Sequence, residues 1–295
     1  FRRVVVLDNP KKTLPSGWNV ALREYKGDAI IKVDAHAVIP EDFVSKNVRV
    51  LETGEYICGG QRPNIIDKPT PFKETLLLAE SSMFGSSIAS YRNNPGKTYV
   101  KSLFHAAYRR EVFEKVGFFN EELVRTEDNE IHYRMRKAGY KLCFDPDIIS
   151  YQYTRSSLKA MLKQKYANGY WIGKTSKVCP KCLSIYHFVP FAFVSAIIAS
   201  GSVIGATGLA ECIKKRHNHT LGKGISALRK VTVVLTTVMW VLYALMASGM
   251  AAVSAFKAED KRNITNACLP VLFLLLHLSY GIGTIAGLMD KSKRG

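Results

Sequence analysis

Hydrophobic positions in the first half of the chain fall into short apolar runs separated by stretches with helical periodicity. The runs predict strands at residues 4–7, 29–33, 56–60 and 140–144. The periodic stretches predict helices at residues 15–25, 40–51, 74–84, 110–116 and 128–138. Strands that alternate with helices are typical of a layered α/β domain, so we predict one, with a largely parallel sheet, over residues 1–150.

Three long apolar runs dominate the end of the chain, at residues 186–210, 231–256 and 268–289, and none of them contains Asp, Glu, Lys or Arg. Each reaches the roughly 20 residues that a helix needs to cross the hydrocarbon layer. A buried helix of a soluble protein rarely stays uncharged on every face for so long. We therefore predict a membrane domain over residues 186–295 with up to three spans. The first run contains Pro190 and several glycines, so a re-entrant segment is the alternative there.

A basic segment, residues 151–185, connects these two parts. The chain has no acidic residue between positions 147 and 211, whereas lysines recur there among aromatic and aliphatic side chains. Leu158, Met161 and Lys165 share one helical face, which predicts an amphipathic helix with snorkelling lysine stems at the membrane surface. An ordinary solvated helix packed on the α/β domain is the alternative.

The chain carries 42 Lys and Arg against 24 Asp and Glu, a formal net charge of +18 that favours an anionic partner or surface. No recognised nucleic-acid-binding motif accompanies these charges, so we expect a membrane and no nucleic acid as the partner. If the α/β domain is cytosolic, three full crossings place the basic loop 211–230 outside, against the positive-inside rule. The sequence leaves open whether the first run fails to cross or the rule is overridden.

The six cysteines form no extracellular disulfide framework. Cys179 and Cys182 make the only Cys-x-x-Cys pair, without the second pair that a structural zinc site needs. We expect reduced cytosolic thiols and assign this pair no function.

Two groups of polar residues lie where chemistry is expected in an α/β sheet. The predicted strand 29–33 runs directly into Asp34-Ala35-His36, and ligands bind such sheets at the carboxyl ends of strands. Asp and His are ligands for divalent metal ions. Glu127 and Asp128 form a second acidic pair at the start of a predicted helix. Taken alone, the first group is also consistent with loop residues, and the second with acids that favour a helix dipole.

The chain also carries an ordered set of short motifs: Leu7-Asp8-Asn9-Pro10, Gly27-Asp28, Val33-Asp34-Ala35-His36-Ala37, Gly59-Gly60, Tyr108-Arg109-Arg110-Glu111, Thr126-Glu127-Asp128-Asn129-Glu130 and Gln164 through Trp171. In order and spacing, this set resembles an inverting family-2 glycosyltransferase. It is most similar to the membrane-anchored branch of succinoglycan-type exopolysaccharide glucosyltransferases. The resemblance implies a GT-A-like α/β fold followed by transmembrane helices.

The resemblance also implies roles for the two polar groups. Asp34 and His36 occupy the family's Asp-x-Asp position, which holds a Mg²⁺ or Mn²⁺ ion that bridges the nucleotide diphosphate. His36 replaces an acid there, and a nitrogen donor suits Mn²⁺ better than Mg²⁺. Asp128 matches the catalytic base that takes a proton from the acceptor hydroxyl, and Glu127 is its neighbour.

Gln164, Tyr170 and Trp171 fall at the family's Gln-x-x-Arg-Trp-like element, which helps to hold the acceptor and the diphosphate. The spacing is wider here and no arginine precedes Trp171, so we expect addition of one sugar rather than processive synthesis. An aromatic anchor at the membrane interface is the alternative for Trp171.

The chain opens at Phe1 inside a predicted strand, whereas the family normally opens with a unit that reads uracil. We therefore expect the nucleotide-binding residues upstream of Phe1 and poor activity of the chain as given. The resulting hypothesis is a multi-pass membrane enzyme with a cytoplasmic catalytic domain. It would transfer a hexose from a nucleotide sugar, UDP being the favoured carrier, to a lipid-linked saccharide during surface polysaccharide synthesis.

Two alternatives stay open. One is a glycolipid or polyprenyl-phosphate glycosyltransferase, which differs only in its acceptor. The other is a non-catalytic membrane subunit with a degenerate transferase domain in a polysaccharide assembly complex. A channel or transporter is disfavoured, because the apolar runs contain no Asp, Glu, Lys or Arg that could mark a pathway.

Overall fold

The computed structural model describes residues 3–85, 95–216, 222–258 and 263–291. The helices are α1 (Leu14–Glu24), α2 (Phe43–Glu52), α3 (Pro71–Ser81), α4 (Arg110–Val116), α5 (Glu127–Lys137), α6 (Leu158–Val178), α7 (Val189–Arg216), α8 (Lys223–Phe256) and α9 (Leu269–Met289). The strands are β1 (Ala29–Ile31), β2 (Ala37–Val38), β3 (Ile57–Gln61), β4 (Asn64–Ile65), β5 (Thr98–Val100), β6 (Ala106–Arg109), β7 (Leu142–Ile149) and β8 (Tyr151–Tyr153).

The five helices predicted for the first half are confirmed, with ends that shift by a turn or less, and β1, β3 and β7 confirm three of the predicted strands. The strand predicted at residues 4–7 is wrong. Val4 and Val6 are 82% and 92% exposed, and no described strand pairs with this segment. An apolar run becomes a strand only when a neighbour takes up its backbone hydrogen bonds.

The main sheet has five strands in the order β1-β6-β3-β7-β5 and is mixed rather than largely parallel. Of the pairings that the structure describes in this sheet, only β3–β7 is parallel. Strand β6 runs antiparallel to both β1 and β3, and β5 runs antiparallel to β7. The α/β class is thus correct, but the sequence pattern missed β5 and β6. Because β6 lies between β1 and β3, it reverses the direction of the chain in the middle of the sheet.

Helices cover both faces of this sheet. On one face, α1, α4 and α5 pack on alternate strand residues such as Tyr108 and Phe144. On the other face, α2 packs through Phe43 on the intervening residues, among them Cys58 and Cys143. This alternation follows from the two-residue period of a strand. A second sheet has three strands in the order β2-β8-β4.

Among the described residues, three helical stretches are long and apolar enough to cross a membrane: Ile185–Lys214, Lys223–Phe256 and Ile264–Met289. They contain the three apolar runs predicted from the sequence. From Val189 onward the first run forms one unbroken helix, α7, because Pro190 lies in its first turn, where a missing N–H breaks no helical hydrogen bond. Helix α9 contacts α6, α7 and α8 and is therefore the central element of this part.

Helix α6 packs against α9 backbone to backbone. A Cβ atom placed on Gly169 would lie 1.9 Å from the carbonyl oxygen of Tyr280, and one on Gly287 would lie 2.0 Å from that of Tyr170. A Cβ atom on Gly283 or Gly173 would lie 2.1 or 2.5 Å from a carbonyl oxygen of the facing helix, so each helix presents a Gly-x-x-x-Gly pair to the other. Such pairs let two helices approach closely and are typical of helix contacts in membranes. We call this contact the glycine seam.

One lysine of α6 is not at a surface. Lys165 Nζ lies 3.2 Å from Glu80 Oε1, and both side chains are less than a tenth exposed. Thr154 donates to the other oxygen of the same carboxylate. The prediction that the Lys165 stem snorkels is therefore wrong, because a partner on α3 binds its charge inside the protein.

The glycine seam yields a first test. We expect Gly169→Leu to destabilise the protein by about 2 kcal/mol or more, because the added side chain overlaps the α9 backbone. Gly201→Leu on α7 is the matched control, since a Cβ atom at Gly201 meets nothing within 4 Å. Thermal unfolding of both variants in detergent checks this. Equal melting temperatures would show that the two helices do not pack this closely.

Candidate active site

The carboxyl end of β1 and the N-terminus of α5 meet at one edge of the main sheet. Lys32 and Asp34 follow β1 directly, and the Lys32 N–H donates to the Ala106 carbonyl at 2.9 Å, which holds this segment beside β6. Glu127 and Asp128 are the first two residues of α5. The sheet and the helix therefore bring together residues that are far apart in the sequence.

A buried ammonium group connects the carboxylates of Glu127 and Asp128 at the start of α5. Lys32 Nζ donates to Asp128 Oδ1 and lies 3.7 Å from Glu127 Oε1. The Lys32 side chain is only 5% exposed. Three aromatic ring centroids surround its nitrogen at 5.4 to 5.9 Å: Trp18, Phe104 and Phe119. Since a buried charge must be paired, Lys32 and the two acids form one electrostatic unit.

Asp34 lies at the same site and has its own partner. Its Oδ2 atom is 3.6 Å from His105 Nε2, and His105 Nδ1 shares a 2.8 Å hydrogen bond with Ser150 Oγ. Its other oxygen, Oδ1, is buried without a hydrogen-bond partner among the described residues, as is Oε2 of Glu127. A buried carboxylate oxygen without a partner is costly, and it marks a place where a ligand can supply the missing contact.

The surroundings of the three acids shift their pKa values in different directions. Burial raises the pKa of Glu127 to about 8, and the neighbouring Asp128 charge adds to the rise. Burial also raises the pKa of Asp128, although Lys32 opposes the rise. Burial alone would raise the pKa of Asp34, but His105 and Lys32 outweigh it and the pKa falls. Acids with pKa values pushed apart are a feature of catalytic sites, here with Asp34 ionised and Glu127 protonated near neutral pH.

His36 lies in the turn after Asp34, where the Ala37 N–H donates to the Asp34 carbonyl at 3.0 Å. The imidazole is exposed, and Gln152 Nε2 on β8 donates to its Nε2 atom at 3.1 Å. The two predicted metal ligands are thus neighbours, but one ring nitrogen of His36 already has a partner.

Of the two predicted metal ligands, Asp34 fits a divalent metal ion. Its unpartnered Oδ1 is a hard oxygen ligand. Within the described ranges, no group of three or more His, Cys, Asp or Glu side chains could hold a metal ion. Mg²⁺ commonly binds through one or two carboxylates and completes its shell with water and substrate phosphates. The site therefore fits a cation that arrives with a diphosphate better than one held by the protein alone.

The predicted acceptor residues on α6 are not all brought to the carboxylates. Gln164 Oε1 is buried without a partner among the described residues. The Tyr170 hydroxyl donates to Asp290 just after α9. Trp171 is only 8% exposed and lies one helical turn before Thr175, whose hydroxyl meets that of Thr126 at the start of α5. Of the three, Trp171 lies nearest along α6 to Thr175, the residue that contacts the N-terminus of α5.

Sequence reasoning missed Lys32 and His105, which hold the acids in place. The sequence contained a signal for Lys32, because a lysine in an otherwise apolar strand needs a counter-charge when the strand is buried. His105 had none, because the strand that follows it was not recognised. Its position beside Asp34 follows only from the pairing of β6 with β1.

Comparison with known proteins decides the family. Residues 29–283 match the profile of Glycosyl transferase family group 2. The chain belongs to this family. It is 28% identical over 172 residues to the succinoglycan biosynthesis protein ExoA of Rhizobium meliloti (strain 1021), covering 57% of this chain and 51% of that protein.

A second relative of this family-2 chain comes from Methanococcus voltae. It is dolichyl N-acetyl-alpha-D-glucosaminyl phosphate 3-beta-D-2,3-diacetamido-2,3-dideoxy-beta-D-glucuronosyltransferase, 23% identical over 206 residues, which are 68% of this chain and 63% of that protein. The chain thus spans 51% and 63% of the lengths of these two relatives. The family match confirms the predicted family and agrees with a GT-A-like domain followed by apolar helices.

Proposed function

We propose that this protein is a membrane-bound inverting glycosyltransferase of surface polysaccharide synthesis. It transfers a hexose from a nucleotide sugar, with UDP as the favoured carrier, to a lipid-linked saccharide at the cytoplasmic face of the cell membrane. The observation that carries the proposal is the convergence of Asp34, Glu127 and Asp128 around Lys32 in a family-2 chain.

Asp128 is the proposed catalytic base. Its carboxylate takes a proton from the acceptor hydroxyl while that oxygen attacks the anomeric carbon from the face opposite the diphosphate. Lys32 supports this role, because a cation bonded to the carboxylate favours its ionised form in a buried site. Glu127, whose pKa is raised to about 8, is the protonated neighbour that avoids a second negative charge at this point.

Asp34 is the proposed protein ligand of the metal ion, with His36 as the second candidate. A divalent metal ion bound there supplies positive charge that stabilises the leaving diphosphate. His105 lies 3.6 Å from Oδ2 of Asp34, and we assign the metal contact to Oδ1, which is buried without a partner among the described residues. Gln164, Tyr170 and Trp171 remain candidates for contacts with the acceptor or the diphosphate.

The membrane part explains how a lipid-linked acceptor reaches the site. An acceptor on a lipid cannot leave the bilayer, so the enzyme gains proximity by holding its site at the membrane surface. Helix α6 fits this arrangement, because it touches α5 through Thr175 and α9 through the glycine seam. The name of the Methanococcus voltae relative, which includes a dolichyl-linked sugar phosphate, supports an acceptor of this class.

A donor screen tests the proposal. Membranes that contain the full-length protein are incubated with radiolabelled nucleotide sugars, with and without Mn²⁺ or Mg²⁺, and then extracted for lipids. We expect label from one donor in the lipid fraction only when a divalent cation is present. Label that appears solely in water-soluble product would contradict the lipid-linked acceptor. Undiminished transfer in a chelator would contradict the metal site.

A further inference from the structure

The N-terminus of α5 is tied to α6 by one buried contact. The hydroxyl groups of Thr126 and Thr175 are hydrogen-bonded to each other. Thr175 is completely buried and Thr126 is 5% exposed. Thr126 is the N-cap residue of α5, and the next two residues are Glu127 and Asp128. The contact is therefore two residues away from the proposed catalytic base.

The Thr126 side chain bonds to Thr175 instead of capping its own helix. A threonine at the N-cap commonly accepts a hydrogen bond from a backbone N–H of the first helical turn. In α5 the Thr126 side chain makes no such bond, although the N-cap side chains of α3 and α6 do so at Thr70 and Ser157. A cap is worth about 1 kcal/mol to a helix. The Thr126 hydroxyl therefore bonds to α6 and does not stabilise the first turn of its own helix.

Helix α6 is in turn fixed to the membrane part. Gly173, two residues before Thr175, packs on the backbone of α9 so closely that a Cβ atom there would lie 2.5 Å from the Thr284 carbonyl oxygen. A close backbone contact leaves α6 little freedom to slide or rotate. The seam and the threonine pair form a continuous connection from α9 to the first turn of α5.

We propose that Thr175 is a positioning residue that fixes the Asp128 carboxylate relative to the membrane part of the protein, through Thr126 and the N-terminus of α5. This inference rests on the proposed function, in which Asp128 is the base. Loss of the Thr175 hydroxyl lets the first turn of α5 move. A base displaced in this way transfers the proton more slowly, while a donor bound at Asp34 is held as before.

The test replaces the hydroxyl and keeps the shape. In Thr175→Val, a methyl group replaces the hydroxyl, whereas Thr175→Ser keeps the donor and acceptor. Thr207→Val on α7 is the matched control, since Thr207 is also a buried helical threonine but donates to the Val203 carbonyl of its own helix at 2.7 Å. Steady-state transfer is measured in membranes at varied donor concentration, per amount of folded protein.

We expect Thr175→Val to lower kcat about five- to tenfold, the equivalent of one net hydrogen bond, with an unchanged KM for the donor. Thr175→Ser should restore kcat to within about twofold of the parent protein, and Thr207→Val should leave it unchanged. Equal kcat values for the valine variant and the parent would overturn the inference. So would equal losses in the valine and serine variants, or a loss confined to the amount of folded protein.

A second measurement does not depend on activity. Hydrogen exchange of the backbone amides at residues 127–130 should become faster in Thr175→Val and stay unchanged in Thr207→Val. Unchanged exchange would overturn the role of Thr175 whether or not the protein transfers sugar. Faster exchange in Thr175→Val, together with no donor turnover by the parent protein, would instead reject the proposed function and leave the structural connection intact.

Discussion

Replacement of Asp128 by Asn is expected to reduce sugar transfer about 10²- to 10⁴-fold, the usual contribution of a catalytic base. The amide has nearly the size of the carboxylate but cannot accept the proton of the acceptor hydroxyl. It can still accept a hydrogen bond from Lys32, so the variant should keep its fold and insert into membranes. Incorporation of label from the donor found in the screen, at saturating acceptor, is the measurement.

Asp147→Asn is the control for this variant, because Asp147 is an exposed acid on β7 of the same domain. Its activity should equal that of the parent protein. If Asp128→Asn retained full transfer, Asp128 would not be the base. If that variant also supported polysaccharide synthesis in cells, the non-catalytic scaffold would become the better explanation of the protein.

The periodicity of the sequence was sufficient for the helices of the α/β domain but not for the direction of its strands. Strand β6 is the clearest example. Ala106–Arg109 is short, contains two alanines and ends in arginine, so it lacks the β-branched run that indicates a strand. Its place between β1 and β3 depends on pairing with residues far away in the sequence, which local patterns do not encode.

The acids of the site could be predicted, and their partners could not. Asp34 and Asp128 each follow a local rule, the end of a strand and the start of a helix. The structure brings the two close enough for the charge of Asp34 to raise the pKa of Asp128. The contacts of Lys32 and His105 with them arise from tertiary packing alone. For the same reason, the sequence pattern of α6 did not predict that Lys165 is buried in an ion pair with Glu80.

Glycines in different apolar helices of this chain have different structural roles. Pro190 and the glycines of the first apolar run suggested a re-entrant segment as the alternative, yet α7 is continuous and a Cβ atom at Gly201 or Gly205 would meet nothing within 4 Å. The sequence pattern around Gly169 and Gly287 does not indicate a helix contact, yet these glycines allow α6 and α9 to touch. The difference lies in the facing helix, which only the folded structure reveals.

Lys32→Met is expected to destabilise the protein by about 3 to 5 kcal/mol, the usual cost of leaving a buried charge without its partner. Methionine keeps the apolar stem that lies among Trp18 and the two phenylalanine rings, so the loss reports the ammonium group itself. Without it, the acidic pair on α5 has no cation at hydrogen-bond distance among the described residues. Chemical unfolding in detergent, followed by tryptophan fluorescence, measures the change.

The double variant Lys32→Met, Asp128→Asn separates the charge effect from packing. Since the second change removes the orphaned carboxylate, the double variant should be more stable than Lys32→Met alone, with a coupling of about 1 kcal/mol or more. Lys46→Met provides the surface comparison, because its 2.8 Å pair with Asp42 is solvent-exposed and worth about 1 kcal/mol or less. If Lys32→Met proved no more harmful than Lys46→Met, the acids would not depend on this ammonium group. The arrangement of the site around Lys32 would then have to be abandoned.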